Sequence, residues 1–163
     1  MFIVTITVLR LTNVLSFVVL DNETMSPKYN RNDLMVGSGI KNNLKRGDVV
    51  VIQPYSNVFY IERIVGLPGE HVILQNGYIY IGGTVVVEDY LDGNHNIESG
   101  QMKYEFILGD NEYLVCVDNR DGYKESSYDG RNYGPISKDM IYQHILFKIT
   151  TLPENFVYWM FYN

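Results

Sequence analysis

The chain has 163 residues, 46% of them hydrophobic and 20% charged, which suits one globular domain with a buried core. A formal net charge of −6, with thirteen scattered Lys and Arg, excludes a duplex nucleic-acid binder, which needs clustered cations against phosphate. Fourteen Tyr, seven Phe and recurrent short Val/Ile/Tyr runs favour strands over helices.

The N-terminal stretch "MFIVTITVLRLTNVLSFVVL" is apolar but broken by Arg10 and Asn13. A bilayer span needs roughly twenty mainly apolar residues, and residues 2–9 alone are too short. It carries no basic leader or small-residue cleavage site. Residues 1–14 read as a membrane-proximal segment or the stub of a transmembrane anchor, and 15–163 as a β domain. "LSFVVL" (15–20) and "DVVVIQP" (48–54) suit buried strands, and "VFYIERIVG" (58–66) a half-exposed one turned by "LPGEH". "HVILQNGYIYIGG" predicts a hairpin, because Asn76-Gly77 supplies positive φ at both turn positions between alternating apolar runs.

Residues 88–105, polar and rich in Gly and Asn, read as a surface insertion, with Asp89, Asp92 and Glu98 as a solvated face. A strand "EYLVCVD" (112–118) follows, then a polar loop over 119–137, a length usually functional or disordered. "DMIYQHILFKI" predicts a helical turn entering a final strand. The aromatic end "NFVYWMFYN" reads either as an element packed on the core or as a membrane-interface or partner-docking tail. Cys116, the single cysteine, reads as a buried strand residue. No Cys/His spacing resembles a zinc site, so neither metal nor cofactor is expected. His71, His95 and His144 stand in unrelated contexts, which argues against a proton relay.

Four segments carry the chemistry: Thr24-Met25-Ser26-Pro27; Gly47-Asp48-Val49-Val50-Val51; "YIERIVGLPGE" from Tyr60 to Glu70; and "VDNRDGYKESSYDGRNYG" from Val117 to Gly134. In order, they resemble the conserved boxes of type I signal peptidases: S-M-x-P, G-D-[VI]-V, a K-R-[VI]-[IV]-[GA]-x-P-G box and G-D-N-R-D-N-S-x-D-S-R-x-x-G. The R-I-V-G-L-P-G and D-N-R-D cores are intact, and the last box carries extra residues between its halves. The resemblance implies an all-β fold of coiled antiparallel sheets with minor helix.

In that family a serine hydroxyl attacks the scissile carbonyl and a lysine, kept neutral by an apolar setting, takes its proton. A backbone N–H at the nucleophile and a side-chain donor two residues earlier hold the oxyanion. Here the serine position is Thr24 and the lysine position is Glu62; Asn22 stands at the oxyanion-donor position, and Ser127, Asp129 and Arg131 at the support positions. Threonine's extra methyl restricts its rotamers. Glutamate is a base only when charged, and an apolar pocket that neutralises lysine protonates glutamate. Pairing of Glu62 with Lys28 or Arg63 would also occupy its lone pairs. Ser26 is a second candidate nucleophile, two residues on and on Thr24's face if the segment is extended, with only Lys28 nearby.

Loss of both dyad residues, with Met25-Ser26-Pro27 after the substituted serine, resembles the signal peptidase-like proteins of Gram-positive bacteria encoded beside pilin and sortase genes. That resemblance implies a pseudoenzyme at the extracytoplasmic face of the cell membrane, binding a pilin or secreted preprotein and assisting its assembly. The peptide groove would lie beside Phe17, Val19, Phe59 and Ile61, with an extended chain added as a strand. The competing expectation is an active, divergent signal peptidase using Thr24 or Ser26. A self-cleaving repressor-type domain shares the chemistry, but the chain lacks both dyad residues and any DNA-binding module.

Overall fold

Alternating apolar residues build two antiparallel sheets in the computed structural model, which describes residues 15–56, 58–91, 103–120 and 129–157. The larger sheet contains β1 (Leu15–Val19), β2 (Asp33–Ser38), β3 (Val49–Tyr55), β4 (Val58–Gly66), β9 (Glu112–Cys116), β10 (Ile136–Ser137) and β11 (Ile141–Thr151). Its spatial order is β1-β2-β11-β3-β4-β9-β10. The smaller sheet contains β5 (His71–Gln75), β6 (Tyr78–Ile81), β7 (Thr84–Val85) and β8 (Lys103–Ile107), in the order β7-β6-β5-β8. A short helix, α1 (Gly130–Tyr133), and a 3-10 turn (Lys138–Met140) lead into β10 and β11.

The period of two sorts the larger sheet's side chains into two cores. Val18, Met35, Val51, Ile61 and Ile145, from β1, β2, β3, β4 and β11, share one cluster. The sheet therefore curls, bringing the edge strand β1 to the same apolar interior as β4. Val50, Ile52, Ile64, Val115 and Ile141 form the second cluster on the other face. Val65, Leu114 and Cys116 join Val72, Leu74 and Ile79 of the smaller sheet in a third. Burial of each such side chain contributes about 1.5–3 kcal/mol.

The expected all-β fold is the observed one. The Asn76-Gly77 hairpin closes as predicted, with φ of 49° and 91° at the two turn positions and Gln75 opposite Tyr78. β2 falls where the sequence shows no clean alternation, because Asp33, Gly37 and Ser38 dilute it. Gly37 lets the Gln143 side chain lie close: a Cβ would stand 2.5 Å from Gln143 Oε1 and displace the end of that side chain. The 88–105 range is more built-in than a surface insertion at both ends. Glu88 is buried and residues 103–107 form β8, paired along β5, while 92–102 lie outside the described residues. The loop expected over 119–137 contains α1 and β10, with 121–128 outside the described residues; so are residues 1–14 and most of the aromatic end.

A buried carboxylate closes the larger sheet at the start of β2. Asp33 accepts hydrogen bonds from Lys148 Nζ (2.8 Å), Thr151 Oγ1 (2.6 Å) and the Asn30 amide (2.9 Å), tying the loop before β2 to the end of β11. Burial opposes its ionisation, but these donors outweigh burial and hold the carboxyl below the usual range. Its stabilisation is therefore present above the ordinary carboxylate pKa and lost as pH falls through the lower folded value. Asp33→Ala is expected to lower the unfolding free energy by about 3 kcal/mol at neutral pH, measured by urea denaturation, and the gap to wild type should shrink in acid.

Candidate functional site

Thr24 sits in a loop whose neck is closed by backbone bonds, Leu20 N–H to Asp33 O (3.1 Å) and Asn32 N–H to Leu20 O (2.7 Å). Met25, fully buried, plugs this loop into the first cluster. Bonds from Ser26 N–H to Glu23 O (3.2 Å) and Tyr29 N–H to Met25 O (2.9 Å) wind residues 23–29 into consecutive turns. The segment is thus not extended, which corrects the expectation that alternation keeps Ser26 on the face of Thr24. Lys28 beside it is exposed. The Thr24 carbonyl accepts from the Asn119 amide (2.8 Å), and Asn119 Nδ2 donates to Glu23 O (3.2 Å), so the last box holds the first one in place.

The Thr24 hydroxyl donates to Asn22 Oδ1 at 2.6 Å, and the Thr24 amide donates to the same oxygen at 3.0 Å. A backbone N–H can only donate, so the atom of Asn22 that faces it is the carbonyl oxygen. The Asn22 NH2 is turned away and donates to Asp21 Oδ1 at 3.0 Å. The side chain expected to offer a donor beside Thr24 therefore presents an acceptor.

Glu62 lies on β4 opposite Val50, its side chain completely buried on the face of the second cluster. Tyr133 Oη donates to Glu62 Oε1 at 2.8 Å, and Oε2 is buried without a hydrogen-bond partner. Burial, reinforced by the charge of Asp129, pushes this carboxyl well above the usual range; the Tyr133 hydrogen bond and Arg131 only partly oppose it. Pairing with Lys28 or Arg63 does not occur. Arg63 instead makes a fork to Asp118, with Nε at 2.8 Å from Oδ1 and Nη2 on Oδ2, and reaches Gly47 O with Nη1 at 2.7 Å. Thr24 and Glu62 share no hydrogen bond.

α1 brings Tyr133 to Glu62. Asp129 caps this helix, accepting from the Arg131 amide (2.9 Å), while Asn132 closes the capping box. The Asp129 carboxylate also accepts from Arg131 Nε (2.9 and 3.1 Å) and the Val117 amide (3.1 Å). Gly130 permits the close approach: a Cβ there would stand 2.2 Å from the Val115 carbonyl oxygen. Asp129 and Arg131 are thus bonded side by side below Glu62; Ser127 lies outside the described residues.

Several participants were not read from the sequence. The Tyr90 ring lies 4.0 Å from the Arg63 guanidinium carbon, and Tyr90 Oη donates to Glu88 (2.5 Å). Glu88 takes a fork from Arg120 (2.5 and 3.3 Å). Only Asp118 and Arg120 carried a signal, as part of the D-N-R-D core; Glu88 and Tyr90 sit in a range that reads as surface. Of the groove residues, Phe17 is half-buried and Val19 buried on β1; Ile61 is buried and Phe59 packs edge-on to Tyr142 at 5.3 Å on the first cluster's side. Among the described residues β1 pairs with β2 alone, and β9 pairs with β4 over Arg63–Gly66. Among the described residues no three or more His, Cys, Asp or Glu are grouped to hold a metal ion, and no helix is long and apolar enough to cross a membrane.

The family model for signal peptidase, peptidase S26, matches residues 1–149. Signal peptidase I S of Bacillus subtilis is 34% identical over 125 residues, covering 70% of this chain and 65% of that one. Signal peptidase IB of Staphylococcus aureus is 30% identical over 127 residues, covering 68% and 63%. The chain thus matches a little under two thirds of these relatives' length. The crystal structure of a signal peptidase I from Enterococcus faecalis V583 superposes with a TM-score of 0.54 at 23% identity, covering 65% of this chain and 98% of that one, a likeness of fold. By the extent of the family match and these identities, the chain belongs to the signal peptidase S26 family.

Proposed function

We propose that this chain is a signal peptidase-family protein without Ser-Lys peptidase activity, which holds an extended segment of a secreted preprotein, a pilin in the sharper form, at the extracytoplasmic face of the membrane. The observation that carries the reading is the pair of side chains at the dyad positions. The Thr24 hydroxyl points at an amide oxygen, which is no base, and Glu62 is buried where the proton-accepting charged form is disfavoured. Asp129 and Arg131 act in this reading as scaffolding for α1 rather than as support for a base. The side of β1 that faces no described strand supports docking by strand addition. Phe59 and Ile61 face the first cluster while Phe17 and Val19 alternate to the opposite face of β1, so the four do not line one groove.

The protonation of Glu62 is checked through stability. A carboxyl with a raised folded pKa binds more protons in the folded than in the unfolded state, so stability falls as pH rises past the unfolded value. Glu62→Gln, which mimics the neutral acid, should match wild type near pH 4 and exceed it by on the order of 1–3 kcal/mol at pH 8, measured by denaturation across pH. A Glu62→Gln variant that is less stable than wild type at pH 8 would mean a charged, satisfied carboxylate.

Activity is checked by incubating the protein with a secreted preprotein in detergent and looking for a shortened product. None is expected from wild type, whereas binding of the preprotein should persist in Thr24→Ala. Processing by wild type that disappears in Thr24→Ala would overturn the reading in favour of a divergent peptidase. The double variant Thr24→Ser, Glu62→Lys is expected to recover measurable cleavage if only the dyad has changed.

A further inference from the structure

We propose that Asp21 is a positioning residue that fixes the Asn22 amide with its oxygen toward Thr24, so that the loop's two donors for an incoming carbonyl are engaged within the loop itself. Those donors are the Thr24 amide and the Asn22 NH2, bonded at 3.0 Å to Asn22 Oδ1 and at 3.0 Å to Asp21 Oδ1. The Asn22 amide has two settings about its terminal torsion. In the observed setting every group meets its complement: one oxygen receives the Thr24 N–H and O–H, and the NH2 meets a carboxylate. In the reversed setting the NH2 faces the Thr24 N–H, donor against donor, and the oxygen faces the Asp21 carboxylate, acceptor against acceptor.

Asp21 contributes the stronger part of this preference, because a hydrogen bond to an ionised acceptor is roughly twice as strong as a neutral one. It is also well placed to do so. The Leu20 amide is fixed to Asp33 O and the Leu20 carbonyl to the Asn32 amide, so the residue before Asp21 is anchored at the loop's neck. Asp21 is partly buried, and burial raises its carboxyl above the usual range, opposed in part by its own amide, by the charge of Arg31 and by the Asn22 hydrogen bond. A peptide carbonyl reaching this loop must turn Asn22 over against Asp21 or do without both donors. Asp21 thereby sets the affinity of the loop for a backbone carbonyl, a consequence that rests on the reading of this region as a peptide-docking site.

The test is amide hydrogen exchange in the full chain. Asp21→Ala removes the acceptor and should lower protection of the Thr24 amide about tenfold; Asp21→Asn keeps only a neutral, weaker acceptor and should fall between Asp21→Ala and wild type. The Leu20 and Asn32 amides at the neck report whether the loop itself has opened, and are expected to hold. Unchanged Thr24 protection in Asp21→Ala overturns the proposal. If the neck loosens as well, the wild-type protein decides: the Asn22 NH2 resonances should shift as Asp21 titrates, and their indifference overturns it. Docking is read separately with a synthetic peptide carrying the apolar stretch and A-x-A site of a secretory signal. Tighter binding by Asp21→Ala than by wild type is expected, and equal binding overturns the link to docking. If the peptide binds neither protein, the docking reading fails while the exchange result still judges Asp21.

Discussion

The Arg63–Asp118 fork is the contact through which the parts of the site are held in register. Arg63 follows Glu62 on β4, and Asp118 precedes Asn119, which grips the carbonyls of Thr24 and Glu23. Both side chains are almost wholly buried. A buried ion pair adds little net stability, since desolvation offsets the attraction, but removal of either partner leaves an uncompensated charge. What the pair contributes is geometry: it fixes one strand residue to one loop residue 55 positions away, joining the third box to the last, and the Asn119 bonds then carry the first box with them.

Against that shared frame, Glu62 shows how strongly a scaffold determines what a side chain does. A setting that is dry, capped by α1 and lined by the second cluster favours the neutral form of any ionisable group placed in it. For an amine the neutral form is the one with a lone pair; for a carboxylic acid it is the one without a negative charge. The same enclosure therefore prepares a base from one residue and a hydrogen-bond partner for Tyr133 from the other.

β1 and β3 were legible as short apolar runs bounded by turn residues, and β4 and the β5–β6 hairpin by alternation, because a period of two leaves little ambiguity. β2 was not, since Gly37 answers to the Gln143 side chain and Asp33 to Lys148 and Thr151, partners more than a hundred positions away. α1 carried a local signal in the Asp129–Asn132 capping pair, hidden within a long polar stretch. In the site, spacing within the boxes located Thr24 and Glu62, and burial chemistry gave the direction in which Glu62 titrates. The orientation of Asn22 was not legible, because it depends on the Thr24 amide taking its oxygen while the neighbouring Asp21 takes its NH2. Nor were Glu88 and Tyr90, whose polar surroundings in the sequence conceal a contact with Arg120 and Arg63.

That last contact has a mechanical meaning. Tyr90 and Glu88 belong to the chain leaving the small sheet, yet they lie against the guanidinium groups of Arg63 and Arg120 on either side of the loop-holding segment. The small sheet is thus braced against the large one through charges, in addition to the apolar seam of Val65, Leu114 and Cys116 with Val72 and Leu74. Contacts of both kinds couple the opening of one sheet to that of the other. The stiffness of the Thr24 loop is then a property of both sheets, including the one that supplies none of the four boxes' dyad residues.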